Sequence, residues 1–164
     1  MQFLKKLDLP DSCKIFRNFP YISDSEKGTN EPPILIACWN NFLQFAFASR
    51  PRYRRAVRQH WSVFSRSARE FVIITFSCGL EIINQCLTAE QPWEKMHIFA
   101  LGPVAWHIPP VPHTIIQGTH DYYSGWFFRN PHVTLANTGH MDYLKNDRVP
   151  QLINQYLCGN ILNS

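Results

Sequence analysis

The sequence predicts an α/β domain, a three-layer arrangement in which a mainly parallel sheet of about five strands carries helices on its faces. Three observations lead there. Short apolar runs closed by proline, glycine or asparagine recur along the chain, as buried strands do. Between several of them lie segments with apolar residues three and four apart, the helical crossovers that parallel strands require. The composition is 45% hydrophobic and 17% charged over 164 residues, enough apolar material for one buried core and too little charge for a disordered chain.

Residues 1–31, with Pro10, Pro20, Gly28 and Asn30 and no sustained period, read as an irregular arm. The domain proper is expected over residues 32–164. Pro32 and Pro33 introduce a first strand at residues 34–38, closed by Trp39, Asn40 and Asn41. Tyr53, Val57, Trp61 and Phe64 then fall on one face of a helix, while Arg50, Arg52, Arg54, Arg55 and Arg58 lie mostly elsewhere. The apolar run at residues 71–76 is the second strand. It meets Ser77, Cys78 and Gly79 in a sharp turn, after which Leu80, Ile83 and Leu87 recur at helical spacing. A third strand at residues 96–101 closes at Gly102 and Pro103, and the proline-rich residues 106–112 predict a loop. A fourth strand is expected at residues 113–117, ending in Gly118, Thr119, His120 and Asp121. After residues 122–131 comes a fifth at residues 132–136, ending in Asn137, Thr138, Gly139 and His140. The last element is a helix over residues 149–157, with Pro150 in its first turn and Gly159 just past its end.

The net charge of +4 is uneven: residues 1–70 carry 12 Lys and Arg against 6 Asp and Glu, and residues 71–164 carry 4 against 6. The arginine-rich helix is a candidate surface for nucleic acid or an anionic membrane, but no nucleic-acid-binding motif accompanies it. It reads as the solvated face of a crossover helix, and no nucleic-acid partner is expected. The five cysteines are scattered and show no C-x-x-C spacing, which disfavours a disulfide scaffold or zinc module and points to a reducing, cytoplasmic setting. No apolar run approaches the roughly 18 residues of a membrane span, and residues 1–8 lack a signal-peptide core. His113, His120, Asp121, His132 and His140 are close in sequence, yet their spacing fits no usual ligand pattern, so no metal is expected.

Three of the predicted strands end in residues that carry chemistry: Ser77, then Asp121, then His140. The carboxyl edge of an open parallel sheet is where ligands bind. A serine on a tight strand-to-helix turn projects its hydroxyl above that edge, and the amides of the following helix face the same space.

Thr75-Phe76-Ser77-Cys78-Gly79 resembles the G-x-S-x-G nucleophile elbow of α/β-hydrolases, with Gly79 matching the second glycine and Thr75 standing in place of the first. Ile116 to Asp121 looks like that family's strand ending in glycine and its acid, and Ala136 to His140 looks like its glycine-histidine loop. The order Ser, Asp, His is the family's order, and the resemblance covers roughly residues 70–160. It implies a serine esterase, lipase or thioesterase with Ser77 as nucleophile, His140 as general base and then acid, Asp121 orienting the imidazole, and no cofactor. The backbone N–H of Cys78 is the implied first oxyanion donor. A second would come from Trp39 or Asn40 if residues 34–38 form an early strand; the connection of about thirty residues favours the strand position immediately before the elbow instead, which lacks that donor. No HGGG-type loop is present. Asp142 competes with Asp121 for the acid's role, His120 with His140 for the base's, and Cys78 with Ser77, though Cys78 falls one residue past the turn's tip. Tyr122, Tyr123, Trp126, Phe127 and Phe128 suit the apolar acyl group of a small or lipid-like ester, or alternatively cover the sheet. The rival function is a non-catalytic or shortened hydrolase-like module that binds a partner.

Overall fold

A computed structural model describes residues 2–16, 43, 45–66, 68, 70–87 and 95–160. Two 3₁₀ turns, Leu4–Lys6 and Asp11–Cys13, precede helix α1 (Pro51–Phe64). There follow β1 (Phe71–Phe76), α2 (Gly79–Cys86), β2 (Met96–Leu101), β3 (His113–His120), α3 (Tyr122–Phe127), β4 (Val133–Gly139) and α4 (Arg148–Asn160). The four strands form one parallel sheet in the order β1-β2-β3-β4. The expected strand at residues 34–38 and the donors Trp39 and Asn40 lie outside the described residues.

Strand periodicity sorts the apolar side chains into two cores. Ile98 and Ala100 of β2 and Ile115 of β3 meet Val57 and Trp61 of α1 and Leu80 and Ile83 of α2 on one face. Phe99, Leu101, Ile116 and Leu135 meet Val149, Ile153 and Leu157 of α4 on the other. Helices thus cover both faces because successive strand residues are apolar on both sides. Phe3 and Leu7 of the N-terminal segment join the second core, where each buried side chain contributes about 1.5–3 kcal/mol. Asn154 of α4 pins this segment, accepting from the Asp8 N–H at 2.9 Å and donating to the Lys6 carbonyl at 3.0 Å.

Two regions depart from the sequence-based expectation. β3 and β4 continue beyond residues 117 and 136, so Gly118 lies inside β3 and Gly139 is the last residue of β4. Their pairing is irregular: β3 advances from Gly118 to His120 while β4 advances from Leu135 to Gly139, giving β4 two extra residues. Asn137 absorbs this with φ 50° and donates its N–H to Thr119 Oγ1 at 2.9 Å. A Cβ on Gly118 would collide with the Thr138 carbonyl, so only glycine admits this crossing. The second departure is α3, six residues where no regular element was expected. It is too short to show a period, and its N-cap is the adjacent Asp121.

Candidate active site

Ser77 occupies the turn between β1 and α2 with φ 51°, a left-handed conformation that costs a non-glycine residue about 1–3 kcal/mol. Its backbone is held from three directions. The Ser77 N–H donates to the Leu101 carbonyl at 3.1 Å, and the Ser77 carbonyl accepts from Val104 at 3.1 Å and Leu80 at 3.4 Å. The end of β2 and the first turn of α2 therefore lock the serine at the carboxyl edge. Gly79 lies where the helix passes β1: a Cβ there would sit 3.7 Å from Thr75 Cβ, an ordinary contact, so the threonine fits the turn.

The structure brings Ser77, His140 and Asp121 into one hydrogen-bonded line. Ser77 Oγ and His140 Nε2 are 2.9 Å apart, and His140 Nδ1 lies 2.9 Å and 3.0 Å from the two carboxylate oxygens of Asp121. An ionised carboxylate only accepts, so Nδ1 carries the proton and Nε2 accepts from the serine hydroxyl. Asp121 is only 3% exposed. Burial pushes its carboxyl upward, but donation from His140, from Tyr143 and from the Ser124 N–H outweighs this and holds it below the usual carboxylate value. The same carboxylate caps α3 through Ser124 N–H at 3.0 Å, and Gln117 staples α3 to β3 by donating to Ser124 Oγ at 2.9 Å and the Phe128 carbonyl at 3.0 Å. The cap and the imidazole anchor are one group.

The competing residues fall elsewhere. Asp142 is exposed and accepts from the Gly139 N–H at 3.0 Å, which shapes the loop holding His140. His120 is exposed at the end of β3. The Cys78 thiol is 3.8 Å from Ser77 Oγ, and burial pushes its pKa up, so it stays protonated. The backbone N–H of Cys78 belongs to the N-terminal amides of α2 beside Ser77. Among the described residues, no three His, Cys, Asp or Glu side chains gather to hold a metal ion.

The aromatic residues divide. The Tyr123 ring lies 5.5 Å from that of His140, and Phe76 packs against the imidazole at 5.2 Å. Tyr122 and Trp126, the latter 89% exposed, lie on a neighbouring face of α3. They line an open recess of about 430 Å³ with Gln117, Gly118, Arg129 and Thr134, on the β4 side of Asp121. Another concavity, of about 360 Å³, follows Arg54, Arg55 and Arg58 along α1, away from Ser77. Phe127 turns inward against Phe45 and Trp106.

Two residues that shape the site escaped the sequence reading. Tyr143 is fully buried, accepts from the Gly118 N–H at 2.8 Å and donates to Asp121 Oδ2 at 2.6 Å. Gly102 has φ 51° and packs under both Asp121 and Tyr143. The available signals were the Gly102-Pro103 pair closing β2 and an aromatic residue three positions after His140. No protein-family model matches the chain, and comparison with curated proteins finds no match. Among the described residues no helix is long and apolar enough to cross a membrane.

Proposed function

We propose that this protein is a serine hydrolase of α/β-hydrolase type, cleaving a small or lipid-like ester or thioester through an acyl-enzyme on Ser77. The single observation that supports it best is the continuous line from Ser77 Oγ through His140 to the buried Asp121 carboxylate, at 2.9 Å on each side of the imidazole. Ser77 Oγ attacks the substrate carbonyl while His140 Nε2 takes its proton. The tetrahedral oxyanion forms beside the Cys78 N–H at the positive end of α2. As the intermediate collapses, His140 returns the proton to the leaving alcohol or thiol, and water then repeats the sequence to release the acid. Tyr123, beside the imidazole, offers an apolar wall to the acyl group. The proposal extends to a fifth strand at residues 34–38 and a reducing, cytoplasmic setting, in keeping with the free thiols of Cys13, Cys78, Cys86 and Cys158.

The test is intact-mass detection of covalent labelling by a fluorophosphonate, comparing wild type with Ser77→Ala. Wild type gains one phosphonyl group and the variant gains none. A well-folded wild type that never labels would transfer the assignment to a non-catalytic module that binds a partner.

A further inference from the structure

We propose that Tyr143 is a positioning residue for the Asp121–His140 pair, its phenol fixing the carboxylate in the orientation that meets Nδ1 of the imidazole. The inference rests on the reading of Ser77 as nucleophile. Tyr143 lies in the loop after β4, fully buried. The Gly118 N–H can only donate, so the phenol accepts it at 2.8 Å and directs its own hydrogen to Asp121 Oδ2 at 2.6 Å. The other carboxylate oxygen receives the Ser124 N–H at 3.0 Å. Groups outside the acyl transfer therefore hold both oxygens, and the remaining approach is the one His140 occupies. The tyrosine ring packs 6.1 Å from Phe76 and over Gly102, contacts that a phenylalanine would keep. The hydroxyl is the part that packing does not require.

Its loss has a direction. With one donor fewer, the Asp121 carboxylate loses one of the hydrogen bonds that hold it below its usual value, so its pKa rises and its charge bears more on the imidazole Nδ1–H. The other titratable groups around the pair are Tyr123 from α3, His120 from β3, Asp142 from the loop after β4, and Cys78 and Glu81 at the start of α2. All of them are retained in Tyr143→Phe.

The experiment compares wild type and Tyr143→Phe by two readouts: fluorophosphonate labelling rate against pH, and the His140 Nδ1–H proton resonance followed by NMR. The expected result is a labelling rate about fivefold to tenfold lower at neutral pH, since a hydrogen bond to a charged group is lost. The acid edge of the rate profile should move and the Nδ1–H resonance should shift, because both report how Asp121 meets the imidazole. A variant that only melts earlier, with rate profile and resonance unmoved, would overturn the proposal by making the phenol purely structural. If Tyr143→Phe does not fold, 3-fluorotyrosine at position 143 makes the phenol a stronger donor and should shift that resonance; an unmoved resonance overturns the proposal. Should wild type fail to label, the reading of Ser77 falls, while the resonance still decides whether Tyr143 governs the pair.

Discussion

A single methyl group at Gly102 measures how tightly the acid is seated. Gly102→Ala places a side chain at φ 51°, where the left-handed backbone costs about 1–2 kcal/mol. The new Cβ would lie 2.5 Å from Asp121 Oδ2 and 2.5 Å and 2.9 Å from Cε2 and Cζ of Tyr143. Carbon atoms settle at about 3.5–4.0 Å, so the carboxylate, the ring or the backbone has to move by about 1 Å. Overpacking of this kind costs about 1–3 kcal/mol. Together the terms reach about 2–5 kcal/mol, and at about 2–4 °C per kcal/mol for a chain of this size the melting temperature falls by roughly 4–20 °C. Activity suffers separately, because a displacement of about 1 Å in a catalytic group costs on the order of a hundredfold. Circular dichroism melts and labelling rates taken well below the melting temperature distinguish the two losses. Gly125→Ala is the control: a Cβ there meets nothing within 4 Å, and alanine suits α3 better than glycine. If Gly102→Ala melts and labels like wild type, the account of Asp121 seated against Gly102 and Tyr143 is wrong.

Two further outcomes follow from a buried and a half-buried group. Thr75 is buried and its Oγ1 has no hydrogen-bond partner among the described residues, so Thr75→Val should leave stability unchanged or raise it by up to about 1 kcal/mol in a denaturant titration; a clear loss would reveal a partner for the hydroxyl. His97, held by burial and by the charges of His113 and His132, titrates at about 4 in the fold against 6.5 ordinarily. Its folded value is depressed, so the unfolded chain binds the proton first. The stability it contributes is whole above about pH 6.5 and drains away between there and about pH 4. His97→Gln should flatten that decline when denaturant unfolding is measured across the interval, and a decline of unchanged slope would assign it to other groups.

Much of the architecture is legible in the sequence, because burial writes its period into each segment separately. The apolar runs at residues 71–76 and 96–101 became β1 and β2 as bounded, and Tyr53, Val57, Trp61 and Phe64 marked the inner face of α1. That Ser77, Asp121 and His140 stand near strand ends could likewise be read from composition and turn residues alone. Glycine was the misleading signal. Gly118 reads as a strand terminator, yet β3 runs on through it to His120, because a missing Cβ serves close backbone approach as well as turning; Gly139 does end β4. The aromatic cluster after Asp121 could not be divided without knowing that it forms a helix, which turns Tyr123 toward His140 and Tyr122 and Trp126 toward the recess.

The sequence by itself determined the cores of strands β1 to β4 and the helices α1, α2 and α4, but neither α3 nor the far ends of β3 and β4. Only the tertiary structure decided that Ser77 and His140, 63 residues apart, would stand 2.9 Å from each other. That distance depends on the parallel register, on the two extra residues of β4 against Gly118, and on Gly102 and Tyr143 beneath the acid. Each is a contact between segments that carry no local mark of one another, since propensity acts along the chain while packing acts across it.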